Sequence, residues 1–259
     1  MAMIVEDINQ SRIAMYLKCP RQFYYRYCEG IISPPGAALT LGSSFHRAIA
    51  VNYGQKVGSY EDLPVSDVLD AYDTTFNELS HDTVWNGDNA GKVKDAGYRV
   101  LGHYQEEVAP ETYPLDVEQS FRFFVNWIDN DEEKSVEFKG ILDLEDVKGN
   151  LVEIKTTGQT PRQPSGDHVI QLIGYAIGKE AISKRKPSAW LDYLVTLKTP
   201  KILSFPIDID EGKKKFFLGN IPRVVKAMES ENYYPARGNR WCSKSACFYW
   251  DMCVKEFGG

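Results

Sequence analysis

Apolar residues recur mainly at helical spacing through the first hundred residues of the chain. Ile13, Tyr16 and Leu17 lie at such positions, and Ser11 just before them is expected to cap the first helix. Pro20 is expected to end that helix and to open a second one, because proline fits the first helical turn. After a loop at 34–36, further helices are predicted over residues 42–53, 65–79 and roughly 90–108.

After Pro110 the pattern changes to shorter segments with the composition of strands, separated by turn residues. Strands are predicted over residues 117–125, 136–147, 151–156, 190–197 and 202–207. Helices are predicted over residues 168–182 and 213–228. The expected inner face of the first of these helices carries Ile170, Ile173, Gly174, Ile177 and Ala181. These elements together predict an α/β fold, with a mixed sheet flanked by helices.

No internal repeat, low-complexity segment or linker divides the chain, so we expect one domain over residues 1–259. It would consist of a mainly helical portion at 1–110, an α/β core at 111–210, and a closing helix with a cysteine-rich tail at 211–259. A chain of this length can bury one sizeable hydrophobic core, and it could just hold two small ones.

Composition and charge narrow the possible functions. The chain is 43% hydrophobic and 25% charged, as in ordinary globular proteins, and it lacks a run of apolar residues long enough to cross a membrane. The N-terminal residues lack the features of a secretory signal, so a cytoplasmic location is expected. The net charge of −6 argues against a protein that coats nucleic acid with a broad basic face, but it permits a local basic groove.

The most informative charged residues are Asp143, Glu153 and Lys155. Glu153 and Lys155 share one face of their predicted strand, because side chains alternate along a strand. A three-residue turn at Lys148–Asn150 would pair Val147 with Leu151 and place Asp143 opposite Lys155, on that same face. A two-residue turn would divide the charges between the two faces.

This combination of side chains suits phosphodiester hydrolysis. Carboxylate oxygens bind Mg²⁺ or Mn²⁺, and the cation polarises the phosphate and lowers the pKa of its bound water. A neighbouring lysine can position or help deprotonate that water and can offset charge near the phosphate. For three such residues in isolation, a solvated surface hairpin with a salt bridge would be the simpler interpretation.

Short motifs around these three residues favour the catalytic interpretation. Together they resemble the RecB-like branch of the PD-(D/E)XK nuclease superfamily, which includes the nuclease domains of RecB and AddB and the CRISPR-associated adaptation exonucleases. The motifs follow the order of that family from about residue 11 to residue 253. They are Ser11 with Tyr16, Cys19–Tyr25, Gly42–His46, Gly140–Asp143, Glu153–Lys155, Gln171–Tyr175 and the cysteine-rich tail.

The resemblance implies a restriction-endonuclease-like core and assigns roles to individual residues. His46, Asp143 and Glu153 would bind the metal, with the Ile154 carbonyl as a possible further ligand, and Lys155 would be the catalytic lysine. A histidine ligand makes Mn²⁺ more competitive with Mg²⁺.

Three more residues are candidates on the same basis. Gln171 and Tyr175 lie four residues apart on one helix face, so they would line the site or contact DNA. A capping or packing role for this pair is equally compatible with the sequence. Glu118, on the strand before Asp143, is a weaker candidate for positioning or for contact with a metal-bound water.

The cysteines indicate a second metal site. Three of the five, Cys242, Cys247 and Cys253, fall within the last eighteen residues, and this clustering points to a metal or a cluster. The resemblance implies that they hold a [4Fe-4S] cluster together with Cys19, although the gap between Cys242 and Cys247 is longer than in most relatives. A structural Zn²⁺ site is the alternative. Cys28 is expected to be a buried small apolar residue.

The resemblance favours a metal-dependent DNA exonuclease that prefers single-stranded ends and acts in recombination, repair or phage replication. Such an enzyme could form homo-oligomers or work with a helicase or recombination partner. Tyr24, Tyr25 and Tyr27 could stack on bases or simply pack within a helix. Phosphate contacts could come from Arg21, Arg26, Lys155, Arg162, Arg237 and Arg240. The alternatives are a structure-specific endonuclease of the same superfamily and a non-catalytic DNA-binding subunit.

Overall fold

The computed structural model describes residues 5–258. The helices are α1 (Gln10–Lys18), α2 (Pro20–Phe23), α3 (Ala37–Ser59), α4 (Val65–Ser80), α5 (Ala90–Glu107), α6 (Gly166–Ser183), α7 (Glu211–Glu229) and α8 (Trp250–Phe257). A π-helical segment covers Tyr24–Cys28, and a 3₁₀ turn covers Ala109–Glu111. The strands are β1 (Asp7–Ile8), β2 (Pro114–Asp129), β3 (Glu132–Asp146), β4 (Asn150–Thr157), β5 (Ser188–Val195) and β6 (Lys201–Ile207).

The chain divides into two compact units. The central unit comprises Pro34–Phe121 and Ile141–Asp210. The terminal unit comprises the chain up to Ser33, the segment Arg122–Gly140, and the chain from Glu211 onward. The hairpin of β2 and β3 contributes residues to both units. The expectation of a single domain over 1–259 stays a prediction.

The central unit contains a mixed sheet with helices on both faces. Strand β4 runs parallel to β5, whereas β3 pairs with β4 and β5 pairs with β6 in antiparallel fashion. Ile154 and Leu194 pack with helices α3, α4 and α5 in one apolar cluster that contains Phe45, Tyr53 and Tyr104. Helix α6 contacts β4 and β5. Its side chains reach Glu153, which alternates with Ile154 and so faces the opposite side of the sheet.

The turn between β3 and β4 has the predicted odd length, but its position differs. Leu151 pairs with Glu145 rather than with Val147, a register shift of two residues. The Asp146 carboxylate explains the shift, because Oδ1 accepts hydrogen bonds of 2.9 Å from the backbone N–H groups of Lys148 and Asn150 and so makes Asn150 the first residue of β4. Gly149 supplies the left-handed conformation, with φ of 81°. A two-residue shift leaves every side chain on its predicted face.

The predicted helices and strands are all present, with three local corrections. Helix α1 is capped by Asn9, whose side chain accepts the Arg12 N–H, and not by Ser11. Leu17 is 64% exposed, because α1 buries only Ile13 and Tyr16. In α6 the expected inner face is only partly right, since Ala181 is exposed. The residues that α6 buries are Leu172, Ile173, Gly174, Tyr175, Ala176 and Gly178.

The terminal unit brings the first helices together with α7 and the C-terminal tail. As predicted, Pro20 starts a new helix at its first turn. The Tyr16 hydroxyl donates a 2.9 Å hydrogen bond to the Asn232 carbonyl, and Tyr233 stacks on Phe23 with a centroid separation of 6.2 Å. Strand β1 pairs in parallel with the first half of β3. Within the described part of the chain, none of the helices has the length and apolar character needed to cross a membrane.

Candidate active site

One end of the β3–β4 ladder in the central unit gathers most of the predicted site residues. The paired residues end at Leu144 and Val152, so Asp143 lies where the two strands separate. The Asp143 side chain fills this position, because its Oδ2 atom accepts a 2.9 Å hydrogen bond from the Ile154 backbone N–H. The carboxylate is thereby fixed against β4, with Oδ1 directed to His46.

His46 reaches this point from α3. A Cβ at Gly42, one turn earlier in α3, would lie 3.5 Å from the Thr156 hydroxyl, so the helix passes close to β4. His46 Nδ1 lies 3.5 Å from Asp143 Oδ1. Burial lowers the pKa of His46, and the nearby Lys155 ammonium lowers it further. The imidazole is therefore neutral near pH 7, the form in which a histidine binds a metal.

Glu118 lies close to His46 and Asp143 because the backbone of β2 is irregular at this residue. Its φ of 52° is left-handed, which a non-glycine residue in a strand adopts at a cost on the order of 1–3 kcal/mol. The Asp116 carboxylate braces the segment by accepting hydrogen bonds from the Val117 N–H at 2.9 Å and from Gln119 Nε2 at 2.6 Å. As a result, potential ligand atoms of His46, Glu118 and Asp143 all lie within 4.8 Å of one another.

Glu153 lies in the interior beside this trio of side chains and is only 1% exposed. Its Oε1 atom accepts hydrogen bonds from the Lys155 ammonium and from Gln171 Nε2, the latter at 2.8 Å. Its Oε2 atom is also buried, and it has no hydrogen-bond partner. A buried carboxylate oxygen without a partner is costly, and a bound cation would satisfy it.

Helix α6 supports Glu153 from the other side. The Gln171 amide donates to the Tyr175 hydroxyl at 2.7 Å as well as to Glu153. Tyr175 is buried and packs edge-on against Phe121, with ring centroids 5.2 Å apart. Gln171 therefore fixes the orientation of Glu153, and Tyr175 packs behind it. Whether the pair lines the catalytic site or contacts DNA stays a prediction.

Burial and neighbouring charges both change the pKa values of Asp143, Glu153 and Lys155. Burial raises the pKa of Asp143, although Lys155 and the Ile154 N–H act in the opposite direction. Burial also raises the pKa of Glu153, and the Asp143 charge adds to that effect. For Lys155, burial disfavours the ammonium, but the Glu153 and Asp143 carboxylates outweigh it and raise the pKa. Excess carboxylate charge in a poorly hydrated site is the setting in which a divalent cation binds well.

The donor set fits the metal that the sequence predicts. It offers hard carboxylate oxygens and one neutral imidazole, a combination compatible with Mg²⁺ and still more with Mn²⁺. The compact trio contains Glu118, which the sequence ranked low, and not Glu153. In the sequence, the signal for Glu118 was its place on the strand before Asp143. Its own left-handed conformation, which turns its side chain towards His46 and Asp143, could not be predicted from the sequence.

A second group of candidate ligands lies in the terminal unit. The predicted cysteines all line one cavity, together with Gln22 and Asn239. Gln22 Nε2 lies 3.1 Å from the Cys247 sulfur, and the Ala236 N–H lies 3.4 Å from the Cys19 sulfur. The cysteines lining the cavity are Cys19, Cys242, Cys247 and Cys253.

The structure bears on further predictions for the terminal unit and corrects the one for Cys28. Cys28 is exposed and not buried, because it lies at the end of the π-helical segment. Tyr25 packs inside the unit against Tyr249, with ring centroids 5.4 Å apart, so its helix-packing interpretation holds. The Arg21 guanidinium lies over the Tyr24 and Tyr25 rings and forms an ion pair with Glu256 from α8. Arg21 therefore already has partners within the terminal unit.

Comparison with known proteins identifies the class of protein that these features define. Residues 7–254 match the model of the PD-(D/E)XK nuclease superfamily, so the chain belongs to that superfamily. Members of the superfamily are nucleases that use divalent metals such as Mg²⁺. No curated protein matches the chain.

Several solved structures resemble the chain, and two of them illustrate the likeness. The first, a candidate exonuclease from Eubacterium rectale, gives a TM-score of 0.59 at 10% identity and covers 95% of this chain and 88% of its own. The second, SSO0001, gives a TM-score of 0.44 at 13% identity and covers 89% of this chain and 78% of its own. At this level of identity, the first structure supports the restriction-endonuclease-like fold that the sequence predicted.

Proposed function

We propose that this protein is a divalent-metal-dependent deoxyribonuclease of the RecB-like branch, acting as an exonuclease that prefers single-stranded ends. The observation that carries the proposal is the state of Glu153. One of its oxygens is held by Lys155 and Gln171, while the other is buried without a partner next to a trio of potential metal ligands. A solvated salt bridge on a surface hairpin, the simpler interpretation, would not leave a carboxylate oxygen buried in this way.

The metal would be held by His46, Asp143 and Glu153, with Glu118 and the Ile154 carbonyl completing the set. When bound, a divalent cation polarises the scissile phosphate and lowers the pKa of the attacking water. Asp143 is already oriented by the Ile154 N–H, and Glu153 by Gln171, so little rearrangement is needed to present their oxygens. This preorganisation is what makes electrostatic stabilisation effective in a buried site.

Lys155 would act on the substrate as a cation. The neighbouring carboxylates raise its pKa, which favours the charged form and argues for a donor to the phosphate or to the attacking water, and not for a general base. As the water attacks phosphorus and the bond to the leaving oxygen breaks, negative charge grows on the phosphoryl oxygens. A fixed ammonium beside them stabilises that charge.

The decisive experiment uses end-labelled linear and circular single-stranded DNA, with Mg²⁺, Mn²⁺ or EDTA. We expect metal-dependent degradation of the linear strand, little cleavage of the circle, and a loss of about 10²- to 10⁴-fold in Lys155→Ala. Lys148→Ala, on the neighbouring turn, is the matched control and should retain activity. Cleavage of the circle would indicate an endonuclease, and a folded, metal-loaded protein that cleaves neither would indicate a DNA-binding subunit.

We also propose that the four cysteines of the terminal unit hold a [4Fe-4S] cluster, with Zn²⁺ as the alternative occupant. The sulfur atoms line one cavity, and N–H groups of Gln22 and Ala236 point at two of them, as hydrogen-bond donors do around thiolate ligands. The three thiols of the tail and Cys19 would fasten the two ends of the chain within this unit.

Metal analysis of anaerobically purified protein tests this assignment. Four iron and four sulfide per chain are expected for a cluster. About one zinc without iron would replace the cluster by the alternative, and neither metal would contradict both. Cys247→Ser should lose the bound metal, whereas Cys28→Ser, at the exposed fifth cysteine, should retain it.

A further inference from the structure

Tyr193 lies beside the proposed catalytic lysine on the neighbouring strand. In the parallel ladder of β4 and β5 it is the cross-strand partner of Lys155, so the two side chains leave the same face of the sheet. Tyr193 is 4% exposed, and its ring packs edge-on against Phe205. The phenol is therefore fixed, with its hydroxyl directed at the start of α6.

The Tyr193 hydroxyl makes two hydrogen bonds there. It accepts the Ser165 backbone N–H at 2.9 Å, and it lies 2.7 Å from His168 Nδ1. If Nδ1 also donated to it, the buried hydroxyl proton of Tyr193 would be left without a partner, which is costly. The hydroxyl therefore donates to Nδ1, and the proton of the neutral imidazole resides on Nε2.

His168 is thus held as a neutral donor beside a cation. Burial and the nearby Lys155 ammonium lower the pKa of His168 to about 4, so the ring is uncharged at neutral pH. The side chain is only partly buried. Among the contacts of the described residues, Nε2 has no protein partner, although the other ring nitrogen is fixed in place. A donor oriented in this way, next to a lysine proposed to contact phosphate, can donate a hydrogen bond to a second phosphate oxygen of the same strand.

We propose that His168 is a substrate-positioning residue that donates from Nε2 to a phosphate oxygen of the bound DNA strand, next to Lys155. The proposal rests on the proposed nuclease function, because it takes the strand to pass over Lys155. Tyr193 acts through His168, since it fixes both the tautomer and the direction of the ring. Such a contact would hold the strand equally before and during cleavage, so its loss should raise KM more than it lowers kcat.

Two substitutions separate this role from a structural one. His168→Asn keeps a polar group near the Nδ1 position, which Tyr193 can still engage, but it removes the outward donor. His168→Gln loses that link and keeps a donor near the Nε2 position. We expect KM for single-stranded DNA to rise about five- to tenfold in His168→Asn with kcat within about twofold, and we expect His168→Gln to retain KM within about twofold. His81→Asn, at the exposed end of α4, is the matched control.

Binding without cleavage provides the independent measurement. Fluorescence anisotropy of labelled single-stranded DNA with Ca²⁺ in place of Mg²⁺ should show the same order of affinity, with His168→Asn weakest. If the wild type binds but does not cleave, this order would still support the His168 contact while the nuclease proposal fails. An unchanged affinity in His168→Asn, an equal loss in both variants, or no binding by the wild type would overturn the contact.

Discussion

The two units of this protein use ionisable residues in opposite ways. In the central unit, carboxylates, a lysine and a histidine gather around the buried Glu153, and directional hydrogen bonds hold Asp143 and Glu153, yet one oxygen of Glu153 has no hydrogen-bond partner. In the terminal unit, thiols from both ends of the chain meet around one cavity within a frame of aromatic rings. The first arrangement leaves a carboxylate oxygen available to a cation, whereas the second places thiols from distant segments around one cavity. This comparison teaches that burial of reactive groups does not by itself indicate catalysis.

The largest expected effect is that of Glu153→Gln, which should change DNA cleavage without changing the metal content of the cysteine cavity. Glu153→Gln should lower DNA cleavage about 10³-fold, because it removes the buried negative charge proposed to hold the metal while preserving the shape of the side chain. The measurement is single-turnover cleavage of linear single-stranded DNA. The iron or zinc content should stay at the wild-type value, because the cysteine cavity is lined by residues of the other unit. A variant that cleaves at more than about a tenth of the wild-type rate would contradict this role for Glu153.

A smaller effect should come from pH. The raised pKa values of Asp143 and Glu153 mean that protons compete with the metal closer to neutrality than at ordinary carboxylates. Metal affinity should therefore fall as pH is lowered from 8 towards 6, by at most about tenfold per pH unit for each proton released. Calorimetric titration of Mn²⁺ at several pH values, in buffers of different ionisation enthalpy, measures both the metal affinity and the number of protons released on binding. Affinity that is constant over this range would show that the two carboxylates are not coupled to metal binding.

The smallest effect should be that of Glu118→Gln. We expect cleavage to fall about three- to tenfold, because Glu118 is an exposed member of the trio and its role can be shared by water. Raising the Mn²⁺ concentration should restore much of the activity if Glu118 contributes to metal affinity. Asp116→Asn should weaken the brace of this segment and lower activity in the same direction. If neither variant changes the metal requirement, Glu118 belongs to the surface of the site and not to its ligands.

The sequence predicted the local features of the candidate active site well. The alternation along β4 correctly placed Glu153 and Lys155 on one face, and the odd length of the turn between β3 and β4 kept Asp143 on that face. These features depend on residues within about a dozen positions of one another, where strand periodicity and turn chemistry decide the geometry. The two-residue register shift escaped prediction because it depends on how the Asp146 side chain folds back on the turn.

By itself, then, the sequence determined the order of helices and strands, the α/β class, and the short motifs by which the chain belongs to the PD-(D/E)XK nuclease superfamily. The resemblance grouped His46, Glu118 and Gln171 with Asp143 and Glu153, but only the tertiary structure decided their contacts: His46 and Glu118 at Asp143, and Gln171 at Glu153. It alone placed Tyr193 beside both Lys155 and His168. The physical reason is that local pattern fixes the face on which a side chain lies, whereas contact depends on helix placement, on a left-handed residue in a strand, and on hydrogen bonds between segments far apart in the chain.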